Sequence, residues 1–346
     1  MEIKTLTTKH GEINYLLDIL NQHKNKLSFT NYETKLSETS YEKYLNGLKK
    51  NIHGQNVTKS WLKMMELLHD KDISKYIMNH DNFKVYFNIS LPGCAIYALN
   101  HYMKMNKKTY KFCISTYMPS EIAFQKNPHD KYNILNTFSE QCVIGEISYN
   151  GKKYWNDGDC RKNGMPILLT NIIKNKLGKI NICISDNILV NKGNDNMQEE
   201  YNCKYKYNEA KTCILCLEKG GIMILKIFTF FTPFMKSLLS ALAESFEEWK
   251  IIKPNTSKPL NSELYFIGIG MVDNSKFNNE INVYPENKWY QANDETINNI
   301  LDSYLMFYTK NQIENIEKFL ISDIPIFTYP KIPKINSFDY IGIKKK

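Results

Sequence analysis

A chain of 346 residues is long enough for one large domain with extensions or for two small ones. Hydrophobic residues make up 42%, enough for a sizeable core, which excludes wholesale disorder. Lys and Arg number 45 against 36 acidic residues, a net charge of +9 that suits a polyanion. Arg161 is the only arginine, and Asn, Ile and Tyr abound, so a lysine-rich coding bias explains the charge as well as nucleic-acid binding does.

In chain order, the segment 1–55 is rich in Lys, Asn, Tyr and Thr, has weak periodicity and is expected to be a partly helical extension. Its opening stretch, MEIKTLTTKHGEINYLL, lacks the apolar run of a secretory leader, so a reducing compartment and free thiols are expected for the eight cysteines. A helix is predicted at TKSWLKMMELLHD, with Trp61, Met65 and Leu68 on one face and Lys63 pointing away from it. KVYFNIS reads as a strand, LPGC as a turn, AIYALNHYMKM as a helix and YKFCISTYM as a second strand. From Pro119 to Arg161 no period is clear, apart from a hairpin signal in QCVIGEISYNGKKYW. PILLTNIIKNKLG is predicted helical with Gly178 as its stop, and KINICIS is predicted to be a buried parallel strand. A loop with Asn and Gly follows, then a helix from Glu199 to Glu218 ended by Gly220 and Gly221. GIMILKIF is the clearest buried strand, PFMKSLLSALAESF an amphipathic helix, and EEWKIIKP and ELYFIGIGM form a closing hairpin. The tail reads as two helices, WYQANDETINNILDSYLMFY and NQIENIEKFL, before a Pro- and Lys-rich end.

Strands alternating with helices argue for an α/β fold: a mostly parallel sheet with an antiparallel closing strand and helices on both faces. That unit is expected over 56–275, between an N-terminal extension (1–55) and a mostly helical C-terminal extension (276–346). No apolar run is long enough to cross a membrane, so no membrane partner is expected. Cys213 and Cys216 form a CxxC without a second pair, and all seven histidines lie at or before His129, so the thiols read as core residues and no metal site is expected.

In doubly wound sheets, ligands bind at the carboxyl ends of the strands. The polar and turn residues placed there are Pro92, Gly93 and Cys94 after the first strand, Asp186 after KINICIS, Lys226 late in GIMILKIF and Glu263 at the start of ELYFIGIG, with Lys63 offered by the preceding helix. Each alone is more often a solvated charge or an ordinary ion pair, but a lysine inside a run as apolar as GIMILKIF is rarely buried unless paired. Two lysines and two carboxylates in one cleft suit methylation of a ribose hydroxyl, a poor nucleophile that needs a base and precise alignment. A lysine serves as that base only with a lowered pKa, which burial and a second lysine promote and carboxylates oppose. Lys226 is the expected base, positioned and tuned by Lys63, Asp186 and Glu263.

These residues sit in segments with a family likeness. GGIMILKIF followed by KPNTSKPLNSELYFIG resembles the FtsJ-like RNA 2′-O-ribose methyltransferases, in which a Gly-Gly strand carries a catalytic lysine and a Lys-Pro…Ser-x-Pro…Ser-Glu-x-Tyr segment carries the glutamate. SWLKMMEL resembles the family's N-terminal catalytic-lysine helix, LPGC its Pro-Gly-Gly cofactor turn, NDGD its Gly-Asp element and ISDN its Ser-Asp segment. VTKSWLKMMELL and KPNTSKPLNSELY are nearest the enzymes of large cytoplasmic DNA viruses of the asfarvirus type. The likeness covers about Val57 to Met271, and five motifs in order are far more specific than any one. It implies a Rossmann-like S-adenosylmethionine-dependent methyltransferase fold, a Lys63–Asp186–Lys226–Glu263 active site, and S-adenosyl-L-methionine held by Leu91, Pro92, Gly93, Cys94, Asp159 and Asp186, with Asp159 near the adenine. It also implies RNA as partner, with the first transcribed nucleotide of capped mRNA as target, a cytoplasmic location such as a viral factory or virion, and viral capping or transcription proteins as companions.

Three positions depart from the family. Cys94 replaces the second glycine of the cofactor turn, Lys258 replaces an arginine able to make bidentate phosphate contacts, and no acidic residue ends the second strand, which closes on Tyr117, Met118, Pro119 and Ser120. RNA contact is expected from Lys-rich stretches such as KMNKKTYK and from aromatic residues near the cleft. A ribosomal RNA target stays open, as does a non-catalytic RNA-binding or assembly subunit on the same fold, which Cys94 motivates. A nicotinamide-dependent oxidoreductase is disfavoured, since no G-x-G-x-x-G follows the first strand.

Overall fold

Apolar runs alternating with amphipathic ones fold as strands alternating with helices. The computed structural model describes residues 2–28, 32–89, 91–120, 129–149, 151–187, 195–322 and 326–329. Its strands are β1 Phe83–Ile89, β2 Tyr110–Ser115, β3 Gly145–Tyr149, β4 Lys152–Asn156, β5 Ile180–Asp186, β6 Leu217–Ile227, β7 Phe246–Ile252 and β8 Leu264–Met271. Its helices are α1 Glu2–Ser28, α2 Tyr32–Ser37, α3 Ser40–Asn51, α4 Lys59–Leu68, α5 Lys71–Asn79, α6 Cys94–Met105, the single turn α7 Ile134–Thr137, α8 Met165–Leu177, α9 Gln198–Cys216, α10 Pro233–Ala243 and α11 Glu295–Ile321.

Six strands form one sheet in the order β2-β1-β5-β6-β8-β7. β2, β1, β5 and β6 run parallel, and β8 and β7 close the sheet antiparallel. Beyond β2, among the described residues, the sheet continues as one parallel bridge, Ile114 to Cys142. The strand order reverses between β1 and β5, which places the crevice for a ligand over the carboxyl ends of these strands. Strand side chains alternate between faces. Val85, Phe87, Ile182, Ile184 and Ile267 therefore pack with α4 and α6, whereas Cys183, Met223 and Leu225 pack with α8, α9 and α10. The expected hairpin is β3–β4, paired antiparallel.

The segment 1–55 is helical over most of its described residues, and α1 lies along α11. Lys310 Nζ is 2.8 Å from Glu12 Oε1, and His23 Nε2 is 3.1 Å from Glu317 Oε1. Leu16, Leu20 and Phe319 join the apolar cluster that includes α4. The eight cysteines are free and buried, with Cys213 and Cys216 in the core face of α9. Among the described residues, no helix is long and apolar enough to cross a membrane.

Two element boundaries differ from expectation. The helix expected to reach Glu218 ends at Cys216, because Leu217 is already extended and pairs with Ile180 of β5. Gly220, at φ 82°, accommodates a register shift within the strand rather than a helix stop. The tail forms one helix, α11, of 27 residues. It starts late because the Asp294 carboxylate accepts from Thr296 N (2.8 Å) and caps it, leaving Trp289 and Tyr290 outside. The loop expected after KINICIS (188–194) and the Pro- and Lys-rich end lie outside the described residues.

Candidate active site

The sheet register builds the site. Ile89 of β1 pairs with Asp186 of β5, Ser185 with Leu225 of β6, and Lys226 with Tyr265 of β8. Asp186, Lys226 and Tyr265 thus lie in one row across three adjacent strands, on the face covered by α4 and α6. Lys226 Nζ lies 2.6 Å from Asp186 Oδ1. Glu263 shares a face with Tyr265, two residues on, as strand alternation requires. From α4, Lys63 Nζ reaches Glu263 Oε1 at 2.6 Å. Lys63, Asp186, Lys226 and Glu263 are each no more than a tenth exposed. Thr58 caps α4 by accepting from Trp61 N at 3.1 Å, which fixes the turn of helix that carries Lys63.

Three further residues complete the cluster and were not anticipated from the sequence. The Tyr265 hydroxyl lies 2.9 Å from Asp186 Oδ1 and 3.0 Å from Glu263 Oε1, joining the two ion pairs. Lys253, directly after β7, donates to Asn261 O (2.6 Å), Asn261 Oδ1 (2.9 Å) and Glu263 O (3.4 Å), holding the segment that delivers Glu263. One turn beyond Lys63, the Glu66 carboxylate accepts from Asn255 N and Nδ2 (both 2.8 Å), Thr256 N (3.1 Å) and Thr256 Oγ1 (2.9 Å). It ties α4 to the β7–β8 loop. The period-two spacing of Glu263 and Tyr265 was the available signal for the tyrosine. The partners of Lys253 and Glu66 emerge only in three dimensions.

Burial pushes the Lys226 ammonium down, but the Asp186 and Glu263 carboxylates outweigh burial and hold it above its ordinary value. The lowering on which a resting base depends is therefore reversed in this state. Burial alone would raise Glu263, yet Lys226 and Lys63 hold its carboxyl down at about 2. Burial brings Lys253 down to about 7, with Glu263 opposing and Lys63 and Lys24 assisting. The Tyr265 phenol is pushed well up by burial and the two carboxylates, so it stays a neutral donor. Tyr265→Phe leaves those carboxylates without their shared donor and is expected to cost about 1–3 kcal/mol in denaturant unfolding. An unchanged midpoint would mean that the phenol bridges nothing of consequence.

At the carboxyl end of β1, Gly93 adopts φ 74°, and a Cβ there would run into Ile134 Cδ1. The turn 91–94 admits bare backbone at that point, as a backbone-lined cradle requires. The Cys94 thiol accepts from the Thr58 hydroxyl at 3.1 Å, and burial raises its pKa. Asp159 lies on a loop whose Gly158 packs on the Thr116 carbonyl just past β2. Its carboxylate accepts from Arg161 N (3.0 Å), Nε (2.8 Å) and Nη2 (2.9 Å). Burial would raise it, but the guanidinium outweighs burial and holds it below the usual range. The glycine turn after β1, Asp186 at the end of β5 and Asp159 on the loop against Thr116 fit a cationic adenosyl cofactor bearing an amine and ribose hydroxyls.

The stretch KMNKKTYK leads into the amino end of β2, at the opposite edge of the sheet from this cleft. Its Lys108 is engaged by Met78 O (3.0 Å), His80 O (2.8 Å) and Asp81 Oδ1 (2.9 Å), so this stretch is not placed to meet a ligand at the tetrad. Lys258 pairs with Glu33 of α2 at 2.6 Å.

Residues 123–271 match the family model described as FtsJ-like methyltransferase. That span holds Asp159, Asp186, Lys226 and Glu263, whereas Lys63 and the turn 91–94 precede it. The African swine fever virus protein named "Probable methyltransferase EP424R" is 33% identical over 237 residues, covering 64% of this chain and 52% of its own. The Mus musculus cap-specific mRNA (nucleoside-2'-O-)-methyltransferase 2 is 26% identical over 270 residues, covering 75% of this chain and 34% of its own. The chain thus spans about half the length, or less, of these curated relatives. Among solved structures, human methyltransferase-like protein 13 in complex with SAH is similar at 9% identity and a TM-score of 0.33, over 73% of this chain and 91% of that one. Over residues 123–271, which carry β5, β6, β7 and β8 of the doubly wound sheet, the chain is similar to the FtsJ-like methyltransferases.

Proposed function

We propose that this protein transfers a methyl group from S-adenosylmethionine to a ribose 2′-hydroxyl of RNA, with capped mRNA as its substrate. The observation that carries the reading is the row Asp186, Lys226 and Tyr265, closed by Glu263 and Lys63. It is a buried, fully paired charge cluster at the carboxyl ends of the strands, where a fold gains nothing from charge that apolar packing would not supply. The cap part is supported by the mouse relative's name. Residues 56–275 are the proposed catalytic unit, flanked by the segments 1–55 and 276–346, and the proposed location is the cytoplasm.

The residues that would hold the cofactor are Leu91, Pro92, Gly93, Cys94, Asp159 and Asp186. When bound, it supplies an electrophilic methyl group on a sulfonium. Lys226 Nζ is the proposed proton acceptor for the ribose hydroxyl. It acts in the neutral form, so the ammonium must first release the proton that Asp186 and Glu263 favour. Lys63 neutralises Glu263, and the Tyr265 hydroxyl links the Glu263 carboxylate to the Asp186 carboxylate that pairs with Lys226. The substrate is tested with matched RNAs that carry or lack a 5′ cap: transfer that needs the cap supports capped mRNA, and equal transfer to both moves the substrate to internal sites such as ribosomal RNA.

A further inference from the structure

The loop between β7 and β8 opens onto a groove of about 430 Å³, within the range of about 300–1,000 Å³ usual for small-ligand sites. On α11, Phe307, Asn311, Glu314, Asn315 and Lys318 line it, recurring every three or four residues and therefore on one helix face. Phe307 is 58% exposed. Tyr329 closes the far end, stacked on Tyr44 with ring centroids 4.7 Å apart, and its buried hydroxyl has no hydrogen-bond partner. The near wall includes Lys253 and Ser257. The wall that these residues form also touches the tetrad, since Ser257 Oγ donates to Glu263 Oε1 at 3.3 Å and Lys253 Nζ to Glu263 O at 3.4 Å.

We propose that this groove seats a nucleobase of the RNA strand adjacent to the nucleotide being methylated; the inference rests on the methyltransferase reading. Phe307 offers a stacking face, which suits any base. Asn311, Glu314 and Asn315 offer donors and acceptors to a base edge, a mixture that an apolar side chain of a protein partner would not use. Lys318, on the same wall, offers a cation to a backbone phosphate.

The test is fluorescence anisotropy of a labelled short single-stranded RNA on the full chain, comparing wild type, Phe307→Ala and, as control, Tyr201→Ala at an exposed aromatic position on α9. Phe307→Ala is expected to weaken binding about tenfold, the size of one lost base stack, and to raise KM for RNA by the same factor with kcat unchanged. Tyr201→Ala is expected to match wild type. Equal affinity of Phe307→Ala and wild type, or no RNA binding by wild type, overturns the groove. Methyl transfer measured in parallel separates the two readings. Phe307-dependent binding without transfer removes the enzymatic reading and keeps the groove; transfer with an unchanged KM in Phe307→Ala removes the groove and keeps the enzyme.

Discussion

Lys226→Met is expected to slow methyl transfer by about a hundred- to ten-thousand-fold, the range over which a positioned acid or base contributes. Lys226 is buried, 2.6 Å from Asp186 and facing Glu263, so it is the cation that this strand face is built around. Its loss also leaves two buried carboxylates less compensated, at a cost of about 3–5 kcal/mol, so activity must be compared at a temperature where the variant is folded by circular dichroism. Lys226→Arg separates charge from proton transfer. Arginine keeps the positive charge but cannot be deprotonated in a protein, so it is expected to be as inactive as methionine while more stable. Because the Lys226 pKa is raised, the neutral form is scarce at pH 7, and the wild-type rate is expected to climb about tenfold per pH unit on the alkaline side until the protein unfolds. An active Lys226→Arg enzyme, or a rate flat with pH, removes lysine as the base.

Glu263→Gln is expected to remove a pH-dependent share of stability. The folded-state carboxyl is held down at about 2, below its ordinary 4.5. A depressed acid contributes stability that is fully present above its unfolded value and is lost as pH falls through the folded one. The window is therefore about pH 4.5 down to 2, and the full contribution is about 3 kcal/mol. Denaturant unfolding of the two proteins is expected to differ by that amount at pH 7 and to converge near pH 2. Parallel stability curves across the window would mean that Lys63 and Lys226 do not hold Glu263 as described.

The strands and helices that frame the site were legible because their apolar periods are strong. GIMILKIF and KINICIS are buried on both faces, and the charged interruption at Lys226 stands out against that background. Asp186, Lys226 and Glu263 were legible as strand-end charges and Lys63 as a charge on the preceding helix, in a family order. Their partners were not, because register decides them: Lys226 lies opposite Tyr265 through an antiparallel pairing that no local pattern specifies. Lys253 opens the KPNTSKPLNSELYFIG segment, but only the fold brings its ammonium behind Glu263. Gly220 and Gly221 read as a helix stop but form an irregular strand entry, since glycine permits both and the pairing of Leu217 with Ile180 decides between them. KMNKKTYK looked like an RNA contact by composition, yet its Lys108 fastens the helix α5 end to the start of β2.

The most direct measurement of the central claim is transfer of a radiolabelled methyl group from S-adenosylmethionine to RNA, beside the same RNA with a 2′-deoxy nucleotide at the acceptor position. Alkaline hydrolysis follows, since a 2′-O-methyl group blocks cleavage at its own ribose. The expected result is label in an alkali-resistant dinucleotide, lost with the 2′-deoxy substrate and with Lys226→Met. Label on the 2′-deoxy RNA, or label released in single nucleotides, would place the methyl on a base and contradict the account.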